Sequence, residues 1–192
     1  DPITTNPAAG NHVFRLSMID SWAIETILDA ARSRGFTRLA LFAPNTAWGR
    51  SSEAAMQAWE RKHGGIVHDI YWHNWGETDL GERIAQARAA GANAIVMVAN
   101  ESEGVPIVRK MAEFPPAQRL PILSHWGILG GDFAAATGKA LQEVDLSVVH
   151  TFSFADPRNA RARDVAGRYR QAFGTEAGEL QAQVGFAHAF DL

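Results

Sequence analysis

The chain has 192 residues, 46% of them hydrophobic and 20% charged, with a net charge of −3, enough apolar material for one large domain or one and a half small ones. That balance leaves no basic field for nucleic acid and no polybasic membrane patch, and no apolar run reaches the roughly 18 residues that would insert into a bilayer. Without cysteine there are no disulfides, thiol nucleophiles or Cys-based zinc sites, although the compartment stays undecided.

The first residues, Asp1-Pro2-Ile3-Thr4-Thr5-Asn6-Pro7, are polar and broken by proline. They are neither a secretion signal nor a helix, and read as a cut inside a longer chain. His12 to Ser17 alternates in the manner of a strand. Asp20 or Ser21 can cap the helix that follows, in which Ala23, Ile24, Ile27, Leu28 and Ala31 share one face until Gly35 ends it. Leu39 to Ala43 is an uninterrupted apolar run stopped at Pro44-Asn45, as expected of a strand covered on both faces of a parallel sheet. Past the turn residues Thr46-Ala47-Trp48-Gly49, the segment Arg50 to Lys62 carries Ala54, Ala55, Met56 and Trp59 at helical spacing.

Gly64-Gly65 closes that helix, and Ile66 to Trp72 predicts the next strand. The loop His73-Asn74-Trp75-Gly76-Glu77-Thr78 follows. Asp79 with Glu82 matches a capping box for a helix to Ala90. Ala94 to Ala99 is the most apolar strand; Asn100 with Glu103 forms a second capping box, and Val105, Ile107, Val108, Met111 and Ala112 supply a buried helical face. Leu120 to Leu123 opens a further strand, which stops at Ser124-His125-Trp126-Gly127. A short helix from Asp132 to about Lys139 leads to a strand over Val144 to Phe152. Strand centres thus recur about every 26 to 30 residues with helical patterns between them, the period of a βαβ unit, which predicts an α/β, Rossmann-like, doubly wound and mainly parallel sheet. After Phe152 the pattern changes. Asp156-Pro157 predicts a helix start with Val165, Tyr169 and Phe173 on one face, and Leu180 to Leu192 is again helical, so two helices follow without a strand between them.

No catalytic constellation is present. Gly127-Ile128-Leu129-Gly130-Gly131 has the wrong spacing for a dinucleotide fingerprint, and there is no phosphate-binding Gly-x-x-x-x-Gly-Lys-Ser/Thr. A nucleophile elbow and a His-Glu-x-x-His helix are missing too. His68 and His73 fall on opposite faces of one strand, which suits surface or packing roles better than a shared metal. No cofactor and no metal are therefore expected. What remains is a set of side chains at strand carboxyl ends, where open α/β sheets bind ligands: Asn45 and Trp48 after one strand, His73 and Trp75 after another, Asn100 and Glu101 after a third, His125 and Trp126 after a fourth. Each has an ordinary explanation, since Asn45 suits a turn, Asn100 a cap and a single Trp a core. Together they suit stacking and hydrogen bonding of a small organic molecule.

The order Phe14-Arg15 then Asp20, Trp48-Gly49-Arg50, Gly76-Glu77-Thr78-Asp79, Pro121-Ile122-Leu123 and Ala189-Phe190-Asp191-Leu192 resembles the type I periplasmic solute-binding proteins of branched-chain amino acid ABC transporters, the leucine/isoleucine/valine-binding kind. The corresponding family strings are an FR followed by an Asp, a YG turn, GDTD, a P-x-x-G-like strand, and AYDA or AYDL. The resemblance implies two Rossmann-like lobes joined by hinge strands that close on a solute. On it, residues 1–11 would be hinge or linker, 12–152 the second lobe, and 153–192 helices returning toward a first lobe that is largely absent. It also implies an extracytoplasmic, periplasmic location, a permease partner and no enzymatic activity. Trp48 stands where relatives have a cleft tyrosine, Asn100 and Glu101 occupy a loop that supplies another cleft side chain, and Asp20 belongs to the first shared string. Relatives carry an ammonium-pairing acid near Trp126, where this chain reads Ser124-His125-Trp126-Gly127. Glu101 would replace that acid, or the solute has no amino group and is an aromatic or aliphatic carboxylate with His125 as donor. The same fold also serves as the sensing domain of receptors and transcriptional regulators, the second class that the resemblance allows.

Overall fold

The computed structural model describes residues 18–129, 131–151 and 156–174. Residues 20–150 form one compact unit. Its elements are α1 (Asp20–Ser33), β1 (Leu39–Pro44), α2 (Ala47–His63), β2 (Val67–His73), α3 (Gly81–Ala89), β3 (Ala94–Met97), α4 (Glu101–Glu113), β4 (Ile122–Ser124), α5 (Phe133–Thr137), α6 (Ala140–Glu143) and β5 (Leu146–Val148), with single 3-10 turns at Pro116–Gln118 and Trp126–Ile128. The five strands are parallel throughout and lie in the order β2-β1-β3-β4-β5. The predicted α/β, Rossmann-like sheet is therefore present.

The two faces of this sheet are covered by different helices, because successive strand side chains point opposite ways. Leu39, Leu41, Ala43, Val96 and Val98 pack with Ile24, Ile27 and Leu28 of α1 and with Met56 and Trp59 of α2. Ala40, Phe42, Ile95 and Met97 pack instead with Ile84 of α3 and Ile107, Val108 and Met111 of α4. All six residues of β1 are buried. This is why its sequence is apolar at every position and does not alternate.

The chain leaves β1 for β2 on one side, then crosses back to lay β3, β4 and β5 on the other. That reversal puts a topological switch point between the carboxyl ends of β1 and β3, where the flanking loops diverge and leave a crevice.

Several local expectations are corrected. Helix α2 starts at Ala47, so Trp48 stands in its first turn and Ala54 is exposed. Neither capping box forms. Leu80, buried in the core, occupies the cap position of α3 and makes no side-chain cap bond. Asn100 caps α4 with its backbone alone, while Glu103 is drawn away to the loop after β2. The helix expected from Asp132 to about Lys139 is α5, ended early by Gly138 at φ 62°, and α6 is an additional short helix beyond it. Of the strand predicted over Val144 to Phe152, the described residues form only Leu146–Val148, and Phe152 lies outside the described residues.

The other compact unit comprises residues 1–19 and 151–192. Its described helix, α7 (Ala160–Phe173), is capped by Asn159, whose side chain accepts the Ala162 N–H at 2.8 Å, and not by Asp156. Val165 is buried, Tyr169 and Phe173 make a ring contact, and Phe173 is exposed. The predicted strand at His12 to Ser17 and the helix at Leu180 to Leu192 lie outside the described residues.

Candidate ligand-binding site

The loop after β1 is short because glycine permits it. A Cβ on Gly49 would lie 1.9 Å from the Pro44 carbonyl oxygen and 3.1 Å from the Trp72 ring, so only glycine lets α2 begin so close to the strand it follows. Trp48 thereby sits over the carboxyl end of the sheet, half-buried. On the far side of β3, the 3-10 turn after β4 brings Gly127 against the same ring. Its Cβ would fall 2.3 Å from the Ala99 carbonyl oxygen and 2.7 Å from Trp48 Cη2. The loops after β1, β3 and β4 thus meet at the switch point, and a missing side chain is what lets them meet.

Around Trp48 the aromatic rings form a continuous chain. Trp75, from the loop after β2, lies nearly parallel to it with centroids 6.1 Å apart and an interplanar angle of 21°. His125 meets it edge to face at 4.9 Å and 72°, and Trp126 lies against His125 at 3.7 Å. Asp20, at the start of α1, faces His125 with Oδ1 at 3.6 Å from Nε2, while its Oδ2 accepts a hydrogen bond from Ser51. His125 is fully buried, Trp126 is half-buried and Trp75 is 50% exposed. Indole faces, an imidazole and one carboxylate therefore gather where a solute would be met. Such a surface can stack on a flat or apolar body and hydrogen-bond a polar end.

Of the sequence-predicted site residues, the structure brings Asp20, Trp48, Trp75, His125 and Trp126 together. Asn100 stands half-buried in the loop between β3 and α4, directly after the Ala99 carbonyl that Gly127 approaches, and its own carbonyl accepts the Gly104 N–H at 2.8 Å. Asn45 is an exposed turn residue. Its side-chain oxygen accepts from Arg50 at 3.0 Å, and that guanidinium lies 3.6 Å from the Trp72 ring centroid. Glu101 lines a different hollow. It belongs to a groove of about 590 Å³ between α3, α4 and α5, with Asp79, Arg109, Lys110 and Asp132, and none of that groove's lining residues is in the aromatic group.

Two residues that the sequence reading named, His73 at a strand end and Glu103 in a capping box, are buried beside the site with partners that reading did not foresee. His73 ends β2 and is buried, its Nε2 lying 3.2 Å from the Val98 carbonyl oxygen, so it ties the ends of two strands. Glu103 is wholly buried. Its spacing from Asn100 fits a cap, and only the path of a distant loop reveals another partner. Glu77, in that same loop, accepts the backbone N–H of Asn74 and pairs with Arg83. These two contacts, in that order, hold its carboxyl below the ordinary value of 4.5. Among the described residues, no group of three or more His, Cys, Asp or Glu side chains could hold a metal ion, and no helix is long and apolar enough to cross a membrane.

Comparison with known proteins places this architecture. A family model described as periplasmic binding protein matches residues 3–190. The chain belongs to the periplasmic binding protein family. It is similar to a branched-chain amino acid ABC transporter periplasmic ligand-binding protein from Burkholderia xenovorans, at 20% identity and a TM-score of 0.79, over 98% of this chain and 48% of that one. A leucine-binding protein from Thermotoga maritima is similar at 18% identity and a TM-score of 0.75, over 95% of this chain and 51% of that one. An ABC transporter solute-binding protein from R. palustris, solved with benzoate, is similar at 17% identity and a TM-score of 0.77, over 98% of this chain and 50% of that one. The chain thus spans about half the length of the solved structures it resembles. No curated protein sequence matches it.

Proposed function

We propose that this chain is the second lobe, with a hinge segment and a return toward the first lobe, of an extracytoplasmic, periplasmic solute-binding protein that serves an ABC transporter. It would bind a small amino acid or carboxylate-type metabolite in a cleft between two lobes and deliver it to a permease by hinge closure, not by chemistry. On this reading residues 1–11 are the hinge segment, 12–152 the second lobe and 153–192 the return toward the first. The observation that carries it is the unbroken contact of Trp75, Trp48, His125 and Trp126 at the carboxyl ends of β2, β1 and β4, with Asp20 beside His125.

Within that class a ring-bearing carboxylate suits the wall best. Stacked indoles offer flat faces, and the one acid in the group is already directed at His125. The similar proteins from R. palustris solved with benzoate and with 3,4-dihydroxybenzoic acid point the same way. Isothermal titration of the full-length protein with benzoate and with leucine tests the reading. Benzoate should bind more tightly than leucine and change the tryptophan fluorescence. Tighter binding of leucine would overturn the ring-acid preference. Binding of neither, with no small molecule retained in native mass spectrometry, would overturn the solute-binding reading.

A further inference from the structure

Trp75 is half of the stacked pair, yet burial does not hold it, because half of its surface is open to solvent. Its backbone is held on both sides by carboxylates. The N–H of Asn74, before it, donates to Glu77 Oε2 at 3.0 Å, and the N–H of Gly76, after it, donates to Glu103 Oε1 at 2.7 Å. The Glu77 bond is internal to the loop. The Glu103 bond crosses to α4. Gly76 adopts φ 74°, a left-handed conformation that turns the chain just past the tryptophan, and the N–H that Glu103 takes belongs to the peptide joining Trp75 to Gly76.

Glu103 is an unusual residue to bury for ordinary packing. It is wholly inaccessible, and its Oε2 has no hydrogen-bond partner. Its Oε1 takes the Gly76 N–H and the Ser102 hydroxyl, the latter at 2.6 Å. Removing a carboxylate from water is costly, and the helix N-terminus on which Glu103 stands offsets only part of that cost. The one bond that reaches another element is the bond to the loop carrying Trp75.

We propose that Glu103 is the positioning residue of the aromatic wall: by fixing the Gly76 peptide it sets Trp75 parallel to Trp48, acting on any bound solute only through that ring. The proposal rests on the solute-binding reading for its purpose but not for its test, which needs no ligand.

Two stacked indoles couple their electronic transitions, so the full chain should show an exciton couplet in circular dichroism. Trp75→Phe removes one partner and defines the signal. Glu103→Ala should lose the same couplet while keeping its helical signal, and Glu103→Gln, whose amide oxygen can still accept the Gly76 N–H, should keep it. A couplet that persists in Glu103→Ala overturns the proposal, as does its loss in Glu103→Gln. Should Glu103→Ala fail to fold, the Gly76 amide of the parent chain decides by hydrogen exchange. Exchange roughly tenfold or more slower than a free amide supports the bond, and exchange at the free rate overturns it.

Discussion

The indole of Trp48 and the imidazole of His125 meet edge to face at 4.9 Å, although they follow different strands with β3 between them. His125 is fully buried beneath this contact. Trp48 therefore covers a polar group, and on the proposed reading it is also the surface that a solute would touch. Trp48→Ala in the full-length protein is expected to weaken solute binding by about 1 to 3 kcal/mol, the cost of one buried aromatic wall. Calorimetry checks this, and unchanged affinity removes Trp48 from the cleft.

Gly127 has no room for a methyl group, being bounded by the Ala99 carbonyl on one side and the Trp48 ring on the other. The new methyl would lie within 3 Å of both, so Gly127→Ala must displace both. Overpacking of this kind costs about 1 to 3 kcal/mol. Thermal unfolding should show that loss, and tryptophan fluorescence should shift because the Trp48 ring is the softer neighbour. A fluorescence spectrum identical to the parent's would contradict the close approach of Gly127 to the Trp48 ring.

Gly49 is constrained more severely, since a Cβ there would lie 1.9 Å from the Pro44 carbonyl oxygen, against 2.3 Å from the Ala99 carbonyl oxygen at Gly127. Gly49→Ala should therefore cost at least as much stability as Gly127→Ala, on the order of 3 kcal/mol, through separation of the start of α2 from β1. Denaturant unfolding monitored by Trp59, buried on the α2 face, measures it. Equal stability of the Gly49→Ala and parent chains would contradict the tight turn.

The loop carrying Trp75 should loosen in acid. The Asn74 N–H and Arg83 hold Glu77 below its ordinary 4.5. A carboxyl depressed in the folded state contributes stability that is present above its unfolded value and lost as the pH falls through its folded value. Loop order, followed by hydrogen exchange of the Asn74 amide, should therefore be intact near neutrality and decline below about pH 4.5. Glu77→Gln should abolish this decline, and an acid response of the same size in that variant would assign it to another group.

Much of the architecture was legible in the residue order because it follows from periodicity. The face Ala23, Ile24, Ile27, Leu28 and Ala31 of α1 is the buried face, and the all-apolar run of β1 is a strand buried throughout. Helix ends were less legible. Asn100 with Glu103 and Asp79 with Glu82 both have cap spacing, but a cap is a local choice that a stronger distant partner can overrule. For Glu103 that partner was the Gly76 N–H.

The amino-acid sequence by itself determined that strands and helices alternate and that aromatic residues follow three of the strands, since those are properties of neighbours along the chain. Only the tertiary structure decided which of them meet. The order β2-β1-β3-β4-β5 puts the ends of β1 and β3 side by side. Two glycines let the loops after β1, β3 and β4 close up, so that Trp48, Trp75, His125 and Trp126 join while Glu101 faces another groove. The physical reason is that ring contacts across a sheet depend on strand order and backbone clearance, and neither is written in the spacing of residues along the chain.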